Sequence, residues 1–410
     1  MVEGLNEHIE RSFNRLSSEK YNIKNVWKDE HYDWAGDWEG RALLAFVCMY
    51  EITGKKIPCM DAMIKDFPLH ANKKGYLGKI EDGIANEQQL SGHSWLLRGF
   101  IGYYNAFGDE NALSYARDVV KNLYVPLIGL YGKYPAEGRA DEIGGVGGNI
   151  SSVSDGWKLS TDVGCAYMCI DGLSDYYAVT KDEETKKILD ILIEDFMRLD
   201  RVKIKCQTHA TLSAARGILR LYKVTGDKKY FNYAVSVFEF YVKHGMTLTY
   251  ENFNWFGRED TWTEPCTIVD SFILASELFN ITGEERYKTL ASRIWYNGLR
   301  FCHRANGGAG PNTCVTKTQP YLGISFYEAA FCCTMRYAEG LKFVCGFNEN
   351  IVSSEEISED EYGRVFMGNE LLVIDESGSF PNAEKYVYDG KTYIKIPTFV
   401  KKGKYKLRVC

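Results

Sequence analysis

The chain of 410 residues is 45% hydrophobic, 14% aromatic and 25% charged, the profile of a globular protein with a large core, which excludes intrinsic disorder and low complexity. Thirty-eight Gly and nine Pro, with no Gly-X-Y period and no Pro tract, exclude fibrous architectures as well. Forty-nine Lys and Arg against 55 Asp and Glu leave a net charge of −6, and no basic run could neutralise a row of phosphates, so nucleic acid is not an expected partner.

The N-terminal stretch MVEGLNEHIERSFNRL is polar and reads as an amphipathic helix. It has no basic-then-apolar signal pattern, and no apolar stretch reaches the roughly 20 residues that a membrane span needs. A cytoplasmic location without a membrane partner is expected. The twelve cysteines are scattered at apolar positions such as Cys48, Cys165 and Cys169, which fits reduced core residues better than a disulfide framework.

Apolar residues then recur at helical spacing over most of the first 345 positions, as from Trp38 to Tyr50 and from His93 to Tyr104. The helices end in a similar phrase: YEITGKK at 50, NAFGDENALSYA at 105, KVTGDKKYFNYA at 223 and NITGEERYKTLA at 280. In each, the Gly can close one helix in the left-handed conformation, and in the last three the acidic residue after it can complement the dipole of the next. A related turn without Gly, AVTKDEETKKIL, lies at 178. Turns spaced roughly 45 to 75 residues apart match helical hairpins joined by variable loops.

About ten to twelve helices are expected before residue 345, which favours a mainly α fold, an (α/α)6 barrel or six-hairpin toroid. The loops at one end of such a barrel build a concave site, here including the Gly-rich segment from Tyr134 to Thr161. From Val365 the texture changes to alternation, as at Glu370–Ile374 and Thr392–Ile396, the signature of a small C-terminal β appendage. The expected division is a barrel domain over 1–350 and a β extension over 351–410.

Two clusters carry chemistry. Thr263-Glu264-Pro265-Cys266 opens one helix and Cys332-Cys333 opens the last long one. Three thiols and a carboxylate are a tetrahedral donor set that suits zinc better than magnesium or calcium. A Cys in a helix's first turn also has its thiolate favoured by the dipole and by exposed backbone N–H groups. On spacing alone, three further core cysteines and a helix-start Glu remain the competing reading.

The order of helix, Glu-x-Cys, helix, a TGE turn with Arg-Tyr, then Tyr-Asn-Gly-Leu, a loop and Cys-Cys entering a helix resembles the β-L-arabinofuranosidase family, glycoside hydrolase family 127 and its relatives. The matching stretch runs from Gln207 through Leu341, with a weaker match upstream through HSWLLRGFIGYYNAFGDENAL. The resemblance implies an (α/α)6 barrel with zinc held by Glu264, Cys266, Cys332 and Cys333, and a retaining mechanism in which the metal-bound Cys332 is the nucleophile. It also places the acid/base in the loop before Glu-x-Cys, where Glu251 is the best-placed carboxylate and Glu259 and Asp260 are rivals. Aromatic neighbours Phe253, Trp255 and Phe256 could desolvate Glu251 and stack on sugar faces.

His93 and His209 match sugar-contacting positions of the family, and Trp95 and Trp255 lie beside site candidates, as does Trp262. His8, His31, His70, His244 and His303 are expected at the surface or in structural roles. The expected partner is a small carbohydrate or glycoside substrate and, beyond that, at most a second copy in a homodimer.

Several features depart from the family. Trp38-Glu-Gly-Arg carries Glu39 and Arg41 where a His-containing phrase is usual, Thr-Met-Arg follows Cys-Cys, and the loop before Glu-Pro-Cys is short. The β tail is small where relatives continue into a large β-sandwich region. Two other readings therefore stay open. One is a metal-independent (α/α)6 glycosidase or lyase using paired carboxylates, such as Glu251 and Asp162. The other is a non-catalytic carbohydrate-binding relative.

Overall fold

A computed structural model describes residues 4–29, 31–139, 148–316 and 321–351, with strand stretches at 366–367, 370–371, 384–388 and 391–397. The helices are α1 (Leu5–Leu16), α2 (Ile23–Val26), α3 (Asp37–Thr53), α4 (Met60–His70), α5 (Glu87–Phe107), α6 (Glu110–Val119), α7 (Cys169–Thr180), α8 (Glu183–Arg198), α9 (Thr208–Thr225), α10 (Lys228–His244), α11 (Pro265–Thr282), α12 (Glu285–Ile294), α13 (Arg300–Cys302) and α14 (Cys333–Phe347). Twelve of them have ten residues or more, the upper end of the expected number.

The chain divides into two compact units: one comprises 1–12, 245–254 and 258–410, the other 13–244 and 255–257. In the second, α3, α5, α7 and α9 pack side by side, α3 on α5, α5 on α7 and α7 on α9. These helices are enclosed nearly all round: every residue from Asp37 to Met49 of α3 is buried, as is every residue from Glu87 to Ile101 of α5. Their neighbours α6 and α8 bury one stripe only, the pattern of helices with one wet face. Side-by-side packing of α3 and α5 depends on Gly40, where a Cβ would lie 2.1 Å from the Leu96 nitrogen. In the first unit α11 packs on α12 and on α14.

The hairpin turns form as their chemistry requires. Gly54, Gly108, Gly226 and Gly283 each close a helix in the left-handed region and donate back to the carbonyl four residues earlier. At the turn without Gly, Lys181 takes the same conformation at φ 56°, and Asp182 caps α8 by accepting from the Thr185 nitrogen at 2.8 Å.

Three features are not foreseen from helical spacing. Within the Gly-rich segment, β2 (Ile150–Ser154) and β3 (Trp157–Ser160) pair and, with β1 (Ala85–Asn86) ahead of α5, form a sheet in the order β1-β3-β2. Its hairpin turns on Asp155-Gly156, both at positive φ, the dipeptide that favours a two-residue turn. Residues 140–147 of that segment lie outside the described residues. Single π-helical turns occupy Val120–Tyr124 and Trp295–Leu299.

Of the strands expected in the tail, β5 (Phe366–Met367) pairs with β6 (Glu370–Leu371), and β7 (Glu384–Tyr388) pairs with β8 (Lys391–Pro397). β8 also pairs with β4 (Tyr321–Leu322), so the sheet order is β4-β8-β7. Residues 372–374 of the expected strand lie outside the described residues.

Candidate active site

Helix starts bring the two sequence clusters together. Glu264 is the N-cap residue of α11, Pro265 and Cys266 form its first turn, Cys332 is the N-cap of α14 and Cys333 its first residue. Because α11 and α14 are packed neighbours, the donor atoms of Glu264, Cys266, Cys332 and Cys333 lie within 4.8 Å of one another. The Cys266 and Cys333 sulfurs are 3.8 Å apart and those of Cys332 and Cys333 3.3 Å. A buried ion pair of Arg336 with Asp270 ties the two helices together about one turn further on, and Arg336 also pairs with Glu339 within α14.

Burial raises all three thiols well above the usual thiol range. The nearby Glu264 charge pushes in the same direction. Three thiols and a carboxylate crowded this closely repel one another once ionised, and a cation relieves that cost. By number, chemistry and spacing this donor set fits a metal ion.

Glu264 is half-buried and held from two sides. Its backbone nitrogen donates to Asn252 Oδ1 at 2.8 Å. With the Asn254 amide oriented to satisfy both of its neighbours, Nδ2 donates to Glu264 Oε2 at 2.7 Å and Oδ1 accepts from Trp262 Nε1 at 3.3 Å. Half-buried Trp262 meets Phe326 edge to face, the ring centres 5.8 Å apart.

Glu251 is fully enclosed. Its Oε2 accepts from Thr249 Oγ1 at 2.7 Å and its Oε1 from Asn312 Nδ2 at 2.8 Å. The π-helical turn packs on it: a Cβ added to Gly298 would lie 3.0 Å from the Tyr250 carbonyl oxygen and 3.4 Å from Glu251 Cγ. The rivals Glu259 and Asp260 are exposed, and Asp260 pairs with Arg258.

Asn312 is fully buried and escaped the sequence reading. Besides holding Glu251 it accepts from Arg304 Nη2 through Oδ1 at 2.8 Å, and its backbone exchanges bonds with Thr263, nitrogen to Oγ1 at 2.9 Å and oxygen from nitrogen at 2.8 Å. Glu251 and the segment leading into Glu264 thus share one anchor.

The four residues expected to contact sugar lie in the other unit, and all are buried. Trp95 and His209 stack with ring centres 5.6 Å apart at 18°. The Arg41 guanidinium lies 4.1 Å from the Trp95 ring centre, with Nη1 and Nη2 each 3.4 Å from His209 Nε2. Asp37 accepts from Arg41 Nε at 2.8 Å. Arg41, at the departure from the family phrase, therefore joins this cluster. Trp255 bridges to Gln207.

His93 differs. Its Nε2 accepts from the Leu77 nitrogen at 3.1 Å and its Nδ1 lies 2.9 Å from the Gln89 carbonyl oxygen, so both ring nitrogens are engaged within the protein and burial lowers it to about 4. This is the bonding of a core histidine that supports a loop.

Residues 25–341 match the family described as β-L-arabinofuranosidase, GH127 catalytic domain. The chain belongs to this family. Among solved structures it is similar to a GH127 β-arabinofuranosidase at 14% identity and TM-score 0.53, covering 83% of this chain and 56% of that one. It is similar to the GH127 β-L-arabinofuranosidase from Geobacillus stearothermophilus T6 at 13% and 0.50, covering 83% and 59%. An unsaturated glucuronyl hydrolase specific for heparin gives 14% and 0.56, covering 85% and 99%.

The chain spans under three fifths of the length of the two GH127 structures. At these identities the likeness shows the fold, the mainly helical (α/α)6 toroid expected from the hairpin turns. No curated protein sequence matches the chain. Among the described residues no helix is long and apolar enough to cross a membrane.

Proposed function

We propose that this GH127 member is a retaining glycoside hydrolase acting on a β-L-arabinofuranoside or a related plant-derived sugar, with zinc at the Glu264, Cys266, Cys332, Cys333 cluster. The observation that carries the reading is the convergence of three buried thiols and one carboxylate within 4.8 Å at two helix starts. In a tetrahedral zinc site with Zn–S near 2.3 Å, sulfurs sit about 3.8 Å apart, the spacing of Cys266 and Cys333. When bound, zinc would keep these thiols deprotonated at neutral pH.

In this proposal Cys332 Sγ attacks the anomeric carbon as the bond to the leaving oxygen breaks, and Glu251 gives that oxygen its proton. Water then attacks the glycosyl-cysteine carbon, Glu251 takes the water's proton, and the sugar leaves with retained configuration. Thr249 and Asn312 hold Glu251 in a fixed direction, which proton transfer to a defined oxygen requires. Sugar contact is assigned to His209, Trp95 and Trp255. For His93 the two engaged nitrogens favour support of the loop at Leu77.

The division into a barrel over 1–350 and a β extension over 351–410 belongs to the same reading. So does a reducing, cytoplasmic setting, which suits the eleven free cysteines among the described residues, ten of them buried.

The test is elemental mass spectrometry of protein purified without chelator, with Cys266→Ala beside it, followed by arabinofuranoside turnover by the wild type and Cys332→Ser. About one zinc per chain, absent from Cys266→Ala, and a folded but inactive Cys332→Ser are expected. Activity that survives chelation and loss of Cys332 would turn the reading to a carboxylate-only mechanism. Saturable sugar binding without product would make the protein a binding relative with a structural metal.

A further inference from the structure

The segment Glu251-Asn252-Phe253-Asn254 alternates its side chains in the manner of a strand, and Met246 bridges Asn252 across it. Glu251 turns to Asn312, while Asn252 and Asn254, two residues apart, both reach Glu264. Asn252 takes its backbone nitrogen and Asn254 its carboxylate oxygen Oε2.

Two features make this more than packing. Asn254 is 4% exposed, so its amide bonds are made out of water. Its orientation is also dictated from behind: an indole N–H can only donate, so Trp262 Nε1 at 3.3 Å demands the Asn254 oxygen and turns the NH2 group toward Glu264. A carboxylate free to rotate would offer either oxygen, or both, to a neighbouring cation. With Oε2 engaged at 2.7 Å, Oε1 is the oxygen left for a cation.

We propose that Asn254, locked by Trp262, is a positioning residue for a cation at the cysteine cluster, fixing Glu264 as a one-oxygen donor through Oε1. The inference rests on the metal reading above. It assigns to Asn254 and Trp262 the outer-sphere work that in metal sites orients a coordinating side chain and raises affinity. Trp262 is half-buried and packs on exposed Phe326, so this lock lies at the solvent-facing margin of Glu264.

The experiment measures zinc affinity of the full chain under reducing conditions by competition with a chromophoric chelator, for wild type, Asn254→Ala and Trp262→Phe. The melting temperature of each metal-free protein is recorded alongside. Asn254→Ala is expected to bind zinc roughly 10- to 100-fold more weakly while its metal-free melting temperature stays near that of the wild type. Trp262→Phe keeps the ring contact with Phe326 and loses only the N–H, and is expected to weaken zinc by a smaller factor. Wild-type affinity in Asn254→Ala, or in Trp262→Phe should the first variant not fold, overturns the proposal. A wild type that binds no zinc would instead overturn the metal reading on which the proposal stands.

Discussion

Asn312 donates its amide to Glu251 Oε1 at 2.8 Å from a position 61 residues further along the chain. The same side chain accepts from Arg304, and the backbone of Asn312 pairs with Thr263 on both sides. Removing the amide takes one donor from a fully buried carboxylate.

Asn312→Ala should therefore cost about 2 kcal/mol of stability, the usual worth of a hydrogen bond to a charged group. Asn312→Asp is nearly isosteric and keeps an acceptor for Arg304, but sets a second carboxylate against Glu251. It should be the less stable of the two at pH 8 and recover toward pH 4, where the pair can share a proton. Urea unfolding at both pH values measures this. An Asn312→Asp protein as stable as the wild type at pH 8 would show that Asn312 does not hold Glu251.

The elements that sequence reading recovered are those coded by neighbours in the chain. A left-handed residue followed by an acidic one marks a helical hairpin at 108, 181, 226 and 283, because turn geometry depends on a few consecutive residues. Glu264 and Cys266, or Cys332 and Cys333, likewise betray themselves by proximity. Asn312, Asn254 and Arg41 carry no local signal: each matters through a partner that only folding supplies. The Asp155-Gly156 hairpin was legible by its dipeptide but was hidden by the Gly-rich segment around it. The two π-helical turns are helical in apolar spacing and differ only in how the backbone bonds close.

Glu39, where the family has a different phrase, is a second case of tertiary context deciding chemistry. Its Oε1 accepts from the Lys28 nitrogen at 2.9 Å, and Oε2 has no partner among the described residues. Burial raises its carboxyl to about 7. Because the folded state then binds the proton more tightly than the unfolded chain, this group destabilises progressively as pH rises from about 4.5 to 7, and the penalty persists above that. Glu39→Gln should be more stable than the wild type at pH 8 by about 1–3 kcal/mol and should match it near pH 4.5. Thermal melts across that range decide it, and a variant with no gain at pH 8 would mean that Glu39 stays ionised at no cost.

The histidine pair of α1 and His303 titrates in the opposite sense. His8 Nδ1 lies 2.7 Å from His303 Nδ1 and 2.9 Å from Tyr337 Oη, and His303 Nε2 lies 3.2 Å from both Ser12 Oγ and the Gly307 carbonyl oxygen. An Nδ1-to-Nδ1 bond needs one donor and one acceptor, so the accepting ring cannot gain a proton at Nδ1 without breaking it. Burial, with the Arg300 charge, lowers His8 to about 4. Burial also lowers His303, with His8, Arg11 and Arg304 adding to it.

Since the unfolded chain takes up these protons first, the stability contributed by the pair is whole above about pH 6.5 and is lost as pH falls toward 4. One such histidine lowers stability by about 2 kcal/mol between pH 7 and pH 5. His8→Phe keeps a ring against Trp295 and Tyr337 and removes one titrating group. Its unfolding free energy should start below that of the wild type at pH 7 and fall less steeply toward pH 5. The slope should be shallower rather than flat, because His93 is lowered in the same way. Equal slopes for the two proteins would show that the pair does not set the acid limit of the fold.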